Sequence, residues 1–400
     1  MDLVNEAKSR LRPKRHPNMW PPEPCQSTAA RPNASTPQSS SQPPLRARHV
    51  AVVEDATVLS PAAFRSRFEL PGCPAVLGGL LNTWAAMPTA ARSPRSWTMR
   101  NLARRLGGQE MACGDDTAGA TVLLQFGAFV DSYLRGCPDR NPMFVFDAIC
   151  IEVGAAMAQL KGDCNLAADY RPPAIFAEED FLSQLLEARP PYQWLIVAPA
   201  RSGSPVHTDP MATMAWNALL EGKKRWVMFH PATPAELLTP WLARHKHLQP
   251  PCIGGGLESD DEWEDLLGWF NEDLPVIRQA VARHFRAARR ELEVEEQQEK
   301  DRVEEGEWWC VDFVQHAGQT VFVPSMWHHA VLNLSDTVAV THNYVSRSNL
   351  AATYRRATGV DTPVGKVGEM DAALCALWRE RMLANVPELT AQHMPRTFLV

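Results

Sequence analysis

The chain has 400 residues, enough for one large catalytic domain with extensions or for two modest domains. Hydrophobic residues make up 45% and charged residues 22%, with no apolar run long enough to cross a membrane, so we expect a globular protein without a membrane partner. A formal net charge of −6 excludes bulk nucleic-acid binding by the chain as a whole. The nine scattered cysteines form no CxxC pair, which predicts reduced thiols and no disulfide framework or zinc site.

Residues 1–48 are rich in Pro, Ser, Arg and Gln. Such a segment buries too little apolar surface to offset its conformational entropy, so we expect a disordered tail. Its basic cluster between Lys8 and Arg15 favours a nuclear location, with the cytoplasm as a further compartment, and the tail could also contact RNA. A solvated tail with no targeting role is the alternative.

Residues 49–190 show a mixed pattern of N-terminal α/β elements that we expect to pack on a barrel. Ser60 followed by Pro61 predicts a helix start, and Thr98 precedes a short predicted helix over 102–106. Short strands are predicted over 74–77, 121–124 and 143–146.

The strand signal strengthens over 191–349. Short apolar runs separated by turn residues predict strands at 192–197, 215–220, 223–229, 320–324, 329–334 and 337–344. The Glu221-Gly222 pair predicts a hairpin between the second and third of these strands. Many short strands with few helices between them favour a mainly β fold, a barrel or a sandwich.

Two further segments are predicted to be helical. An insertion at about 256–305 begins with an acidic stretch and continues with apolar residues at helical spacing, which predicts an amphipathic helix between barrel strands. The extension over 350–400 is predicted to be helical around 372–383.

His207-Thr208-Asp209 is the first candidate for chemistry. Residues two apart in a strand point to the same face, so an imidazole and a carboxylate here could bind one divalent metal. A distant histidine would complete a facial triad of two histidines and one carboxylate, which leaves coordination positions open at Fe(II). The HxD pattern alone is weak, because it arises by chance in roughly half of chains this long.

The third ligand is predicted in the apolar segment Val321–Leu334. His329 opens its second strand and His328 comes directly before it, and by alternation His329 shares a face with Val331 and Asn333. His328 instead shares a face with apolar residues, which indicates packing. We therefore favour His329 over His328.

Lys224 and Thr341 are candidate anion ligands. Across the predicted hairpin, Lys224 shares one face with Asn217 and Trp226, and a lysine on an inward face needs a partner because an unpaired buried charge is costly. A threonine hydroxyl on the last strand could join it in holding a carboxylate. The alternative is a lysine on an exposed face.

These residues together resemble the JmjC family, and within it the bifunctional arginine demethylase and lysyl-hydroxylase branch. The similarity covers roughly 59–349. It is carried by Arg189-Pro190-Pro191-Tyr192-Gln193-Trp194, Arg201-Ser202-Gly203, His207-Thr208-Asp209-Pro210, Ala215-Trp216-Asn217-Ala218-Leu219, Lys224-Arg225-Trp226 and the stretch from Gly318 to Asn333. The longer segment before Val321 and the absence of a long basic, serine-rich tail depart from the family pattern.

The resemblance implies a double-stranded β-helix of the cupin, jelly-roll type with flanking helices. It implies Fe(II) at His207, Asp209 and His329, and 2-oxoglutarate as co-substrate with its distal carboxylate at Lys224 and Thr341 and with Asn217 nearby. Molecular oxygen is the second co-substrate, and ascorbate is expected to support turnover in vitro.

The hypothesis for function is an oxygenase that hydroxylates a protein side chain, above all lysine, with demethylation of methylarginine or of histones left open. We expect a basic protein substrate such as a splicing factor or a histone tail. The alternatives are an oxygenase acting on tRNA or a small molecule, and a non-catalytic cupin-like scaffold. Oligomeric state is not determined by the sequence.

Overall fold

The computed structural model describes residues 50–88, 93–114, 121–148, 166–238, 266–295, 309–360 and 369–394. The predicted N-terminal tail with its basic cluster, and the acidic stretch 256–265, lie outside these ranges. Within them, no helix combines the length and the apolar character that a membrane span requires.

The described residues form thirteen strands in two sheets. Their bounds are β1 Ala51–Val53, β2 Ala75–Leu77, β3 Glu110–Gly114, β4 Thr121–Gln125, β5 Phe144–Asp147, β6 Gln193–Ala198, β7 Gly203–His207, β8 Met214–Glu221, β9 Lys223–Phe229, β10 Cys310–His316, β11 Thr320–Val323, β12 His328–Asn333 and β13 Thr337–Tyr344. One sheet has the order β1-β2-β11-β8-β13-β6-β5-β3-β4, and the other has the order β10-β9-β12-β7. Neighbouring strands are antiparallel except for β1 and β2.

The helices lie before, between and after the barrel strands. Their bounds are α1 Pro61–Phe64, α2 Met99–Leu106, α3 Phe126–Phe129, α4 Ala174–Ala177, α5 Leu266–Gly268, α6 Leu274–Glu295, α7 Leu350–Ala357, α8 Ala372–Asn385 and α9 Pro387–His393. The predicted caps are confirmed: the Ser60 and Thr98 side chains accept hydrogen bonds from the third residue after them, at the starts of α1 and α2.

Strands β6 to β13 build a barrel by crossing between the sheets. β6, β8, β11 and β13 belong to the nine-stranded sheet, whereas β7, β9, β10 and β12 make up the four-stranded sheet. This arrangement confirms the predicted mainly β, double-stranded β-helix. Strands β1 to β5 extend the nine-stranded sheet on both sides, and the predicted domain boundary near residue 190 stays a prediction.

The predicted hairpin between β8 and β9 is wrong, because the two strands lie in different sheets. Both edges of β8 are paired with β11 and β13, and both edges of β9 with β10 and β12. The chain passes between the sheets at Gly222, where φ is +93° and a Cβ would lie 2.2 Å from the Asp336 carbonyl oxygen. Only glycine fits this crossing.

The largest core lies on the outer face of the nine-stranded sheet. Trp216, Ala218 and Leu220 of β8 pack there against aromatic residues of the N-terminal elements, including Phe176, which stacks on Trp216 at 5.7 Å. The alternate residues of β8 face the barrel interior. Because both faces are buried, β8 reads as a nearly continuous apolar run without clear alternation.

Helix α6 covers the outer face of the four-stranded sheet. Ile277 and Val281 are fully buried and belong to one cluster with Val227, Ala330 and Leu332 of β9 and β12. This confirms the predicted amphipathic helix between barrel strands, here between β9 and β10. Burial of each large aliphatic side chain contributes roughly 1.5–3 kcal/mol.

Strand β7 was predicted only as a strand that carries His207 and Asp209, and its bounds were not predicted. It contains Gly203 and Pro205, two residue types that are depleted in strands. In the structure β7 is the edge strand of the four-stranded sheet, and an edge tolerates proline because one side of the strand needs no donor.

Candidate active site

A cavity of about 280 Å³ lies between the inner faces of the two sheets. One wall is apolar and aromatic, with Phe146 stacked on Trp194 at 5.2 Å between ring centroids. The remaining lining includes every residue that the sequence singled out for metal and anion binding, namely His207, Asp209, His329, Asn217, Lys224 and Thr341. The structure therefore brings all six predicted site residues into one cavity.

His207, Asp209 and His329 converge at one end of this cavity. Each offers a ligand atom, and these atoms lie within 4.8 Å of one another. β7 ends at His207, which pairs in register with His329 at the start of β12, so the two imidazole rings sit 4.2 Å apart. In the described part of the chain this is the one cluster of three such side chains that could hold a metal ion.

The backbone orients both imidazoles. The Nδ1 atom of His207 lies 2.7 Å from the Pro205 carbonyl oxygen, and that of His329 lies 3.0 Å from the Trp327 carbonyl oxygen. A carbonyl oxygen only accepts, so each Nδ1 carries the proton and the ring lone pair resides on Nε2. That tautomer leaves the Nε2 lone pair to bind a metal, and a backbone contact of this kind fixes ring orientation.

Asp209 reaches the cluster by a different route from the predicted one. β7 ends at His207, so the argument that Asp209 shares a strand face with it is wrong. Asp209 is extended, with φ −61° and ψ 144°, and it immediately precedes the turn that starts at Pro210. Its Oδ2 atom is buried, and no donor among the described residues reaches it. A buried carboxylate oxygen without a donor is costly unless something else binds it.

The predicted choice between His328 and His329 agrees with the packing. His329 is 4% exposed and lines the cavity, together with Val331 and Asn333 on the same face of β12. Ala330 and Leu332, which alternate with them, pack against α6 on the outside. Burial lowers the pKa of His328, and the nearby His207 lowers it further.

Lys224 lies deep in the cavity and is 2% exposed. Desolvation by burial lowers the pKa of its ammonium group to about 7. Within the described ranges no carboxylate pairs with it, which makes it a buried cation with an open place for an anion. The prediction that it lies on an inward face is confirmed, although it faces Asn217 across the barrel and not across a hairpin.

Asn217 and Thr341 face the cavity from the nine-stranded sheet. They are direct partners in the register of β8 and β13. The Thr341 hydroxyl donates to the Trp216 carbonyl oxygen at 2.9 Å, which leaves its lone pairs for a further donor. The Asn217 side chain is 4% exposed, and its Oδ1 has no hydrogen-bond donor within the described part of the chain.

The metal cluster and Lys224 occupy different levels of the barrel. His329 pairs with Met228 of β9, and Lys224 lies four residues away from Met228 along that strand. At the rise of a strand this separates their backbones by roughly 13 Å. The cavity thus has a cluster of three candidate metal ligands at one level and a lone cation at another.

The aromatic wall of Phe146 and Trp194 was not predicted as part of the site. The sequence does carry a signal for it. Trp194 and Ile196 are two residues apart in β6, so they share one face, and both line the cavity. It becomes specific only once β5 and β6 are known to be neighbours, with Phe146 paired to Ile196.

Comparisons with known proteins agree with this geometry. The sequence model of the cupin-like domain family matches residues 61–349. The chain is 31% identical over 296 residues to the bifunctional arginine demethylase and lysyl-hydroxylase psr-1 of Caenorhabditis elegans, a match that covers 74% of this chain and 61% of that protein. It is 29% identical over 281 residues to the lysine-specific demethylase JMJ21 of Arabidopsis thaliana, covering 69% of this chain and 23% of that protein.

A shorter match joins the chain to a third relative. It is 27% identical over 183 residues to the human 2-oxoglutarate and iron-dependent oxygenase JMJD4, covering 45% of this chain and 34% of that protein. The matched part spans less than two thirds of each of these relatives. The family model, by contrast, covers most of this chain, including the whole barrel and its cavity. The chain therefore belongs to the cupin-like domain family, in its JmjC branch.

Proposed function

We propose that this protein is an Fe(II)- and 2-oxoglutarate-dependent oxygenase that hydroxylates a lysine side chain in a basic protein segment. The observation that carries the proposal is that one cavity holds both a cluster of three candidate metal ligands and a buried lysine that pairs with no described carboxylate. A non-catalytic scaffold has no use for either feature, and each is costly to bury without its ligand.

The donor set fits the metal. Two imidazoles and one carboxylate leave coordination positions open, as non-haem Fe(II) oxygenases require. The buried Oδ2 of Asp209, which lacks a donor among the described residues, is the position that a cation would satisfy. Bound Fe(II) supplies the activation of O₂ that is coupled to oxidation of 2-oxoglutarate to succinate and CO₂.

The other cavity residues hold the co-substrate. The Lys224 ammonium pairs with the distal carboxylate of 2-oxoglutarate. The Thr341 hydroxyl turns from the Trp216 carbonyl oxygen and donates a hydrogen bond to the same carboxylate. Charge-assisted hydrogen bonds are strong in a site with little water. Asn217, opposite Thr341 in the register, presents its amide to the same molecule. The Phe146 and Trp194 wall excludes water from this end of the cavity.

The substrate class rests on chemistry and on relatives. A net charge of −6 favours encounter with basic segments, an attraction that salt weakens. One relative is named a lysyl-hydroxylase and arginine demethylase, and another a lysine-specific demethylase. Splicing factors and histone tails are proteins of this basic kind, and we propose a nuclear site of action for the same reason.

The test is incubation of the full chain with Lys- and Arg/Ser-rich peptides, Fe(II), 2-oxoglutarate and ascorbate. Succinate release reports co-substrate oxidation, and fragment mass spectrometry reports the modified residue. The balance is one C–H bond, one O₂ and one 2-oxoglutarate converted into one C–OH bond, succinate and CO₂. We expect a gain of one oxygen atom on lysine, absent in the His329→Ala variant.

Other outcomes would separate the alternatives. Formaldehyde release from methylated arginine without oxidation of lysine would replace hydroxylation by demethylation. Activity on tRNA or on a small molecule alone would overturn the substrate class. No succinate from a preparation that binds metal and 2-oxoglutarate would indicate a binding scaffold.

A further inference from the structure

Two turns carry the candidate metal ligands, and both contain non-glycine residues in the left-handed region. Asp209 opens the first turn, in which Met211 and Ala212 each have φ of +54°. The second turn leads into β12 and His329, and there Met326 has φ of +65°. Such residues keep this conformation only where surrounding structure holds them in it.

The first turn is held by residues that lie after the barrel. The Ala212 carbonyl oxygen accepts a hydrogen bond from Asn349 Nδ2 at 3.0 Å and from Thr353 Oγ1 at 3.3 Å. The Met211 backbone N–H donates to the Glu369 carboxylate. The peptide groups on either side of Met211 and Ala212 are thus bound by α7, by the residue before it, and by Glu369.

The second turn is joined to the first and to the same residues. Ser325 Oγ donates to the Ala212 carbonyl oxygen at 2.7 Å, which ties the two turns together. Arg356 of α7 reaches the Met326 sulfur at 3.4 Å and pairs with Glu369 at 3.4 Å. We call Asn349, Thr353, Arg356 and Glu369 the C-terminal clamp. None of the four lines the cavity.

We propose that the C-terminal clamp is a positioning device that sets the divalent-metal affinity of the cavity. It fixes the backbone on the C-terminal side of Asp209, which keeps the Asp209 carboxylate beside the two imidazoles. It also fixes the approach of the second turn to His329. Without the clamp, the Asp209 carboxylate is free to rotate toward solvent. Metal binding must then order it again, and this cost lowers the metal affinity.

Three of the four clamp residues lie outside the region that the family model matches. The family model ends at residue 349, so Thr353, Arg356 and Glu369 follow the matched region. The inference rests on the metal site of the proposed function and adds which residues outside the barrel tune it.

Glu369→Ala is the main test, with Mn²⁺ as the probe and the full chain titrated by electron paramagnetic resonance. This variant removes both the acceptor for Met211 and the partner of Arg356. Mutation of residues that orient metal ligands typically weakens metal binding by about 10–100-fold, and we expect at least about tenfold here. Glu369→Gln keeps an acceptor oxygen and should fall between the wild type and Glu369→Ala.

The matched control is Glu388→Ala. Glu388 is exposed in the first turn of α9, in the same C-terminal region, and touches neither ligand-bearing turn. We expect its Mn²⁺ affinity to equal that of the wild type. Thermal unfolding of the metal-free protein measures any general loss of stability in each variant. The proposal predicts that the loss of Mn²⁺ affinity in Glu369→Ala is larger than its loss of stability explains.

Should Glu369→Ala not fold, Thr353→Val replaces it, because valine preserves the side-chain volume and removes only the hydroxyl. Wild-type affinity in a folded Glu369→Ala or Thr353→Val variant overturns the clamp proposal and leaves the proposed function standing. Absence of Mn²⁺ binding by the wild type overturns the metal site itself, and the clamp proposal with it.

Discussion

Lys224 and Arg225 are neighbours in sequence, but their side chains lie on opposite faces of the four-stranded sheet. Arg225 points to the outer face of the four-stranded sheet, where Asp312 accepts from its Nε at 3.0 Å and from its terminal nitrogen at 2.8 Å. These hydrogen bonds raise the pKa of the guanidinium group. Lys224 points into the barrel, where burial lowers the pKa of its ammonium group to about 7.

This contrast distinguishes Arg225, whose charge is satisfied within the fold, from Lys224, whose charge is left for a ligand. The outer face of the sheet satisfies its charge internally and buries Val227, Ala330 and Leu332 under α6. The inner face leaves Lys224 unpaired by any described carboxylate and leaves Asp209 Oδ2 without a described donor. Polar groups that a fold leaves unsatisfied mark the place where a ligand is expected.

The largest effect is expected from His329→Ala on the inner face. Loss of one of three ligands removes an interaction of several kcal/mol, which corresponds to a drop in turnover of about a thousandfold or more. The neighbouring His328→Ala is the matched control, and it should stay within about tenfold of the wild type. Succinate release and Mn²⁺ titration measure both variants. A dead His328→Ala beside an active His329→Ala would reverse the ligand assignment.

Lys224→Met should separate binding from stability. Removing the cation that pairs with a buried carboxylate should weaken 2-oxoglutarate binding about a hundredfold. The same change removes an unpaired buried charge, so the free energy of unfolding should hold or rise by about 1–4 kcal/mol. Lys223→Met, at the exposed neighbouring position, is the control and should leave both quantities unchanged. Calorimetry measures 2-oxoglutarate binding, and denaturant unfolding measures stability. A destabilised Lys224→Met variant with normal 2-oxoglutarate binding would contradict the assignment of Lys224 as the carboxylate ligand.

Binding of 2-oxoglutarate should weaken as pH rises above about 7. The free protein then loses the Lys224 proton that the bound carboxylate requires, so affinity should fall by up to about tenfold per pH unit. The sign for stability is opposite: between pH 7 and the ordinary lysine pKa of 10.5 the unfolded chain binds more protons, so the contribution of Lys224 to stability rises with pH. Both slopes should disappear in Lys224→Met, and a pH-independent affinity in the wild type would argue against the pairing.

The smallest effect on ligand binding is expected from a substitution on the outer face of the four-stranded sheet. Ile277→Ala opens a cavity under α6 and should lower the free energy of unfolding by about 2–5 kcal/mol. Affinities for Mn²⁺ and 2-oxoglutarate should stay within about twofold, because the inner face of the sheet is unchanged. Gln279→Ala, exposed on the same helix, is the control for stability. A large loss of metal affinity in folded Ile277→Ala would mean that the two faces are coupled.

The sequence by itself named the residues that line the cavity, by resemblance for the whole set and by strand alternation for His329, because alternation is a local property. Period two along β12 assigned His329 to the cavity and His328 away from it, and the apolar spacing before residue 296 identified α6. Capping residues located the starts of α1 and α2 for the same local reason.

Only the tertiary structure decided which strands are neighbours. Glu221-Gly222 has the composition of a hairpin turn, yet the chain crosses between sheets there because other strands occupy both edges of β8 and β9. The route of Asp209 to the cluster and the C-terminal clamp likewise depend on contacts between residues far apart in sequence, such as Met211 and Glu369. Strand pairing and such distant hydrogen bonds follow from the balance of packing over the whole barrel, and a local pattern carries no information about that balance.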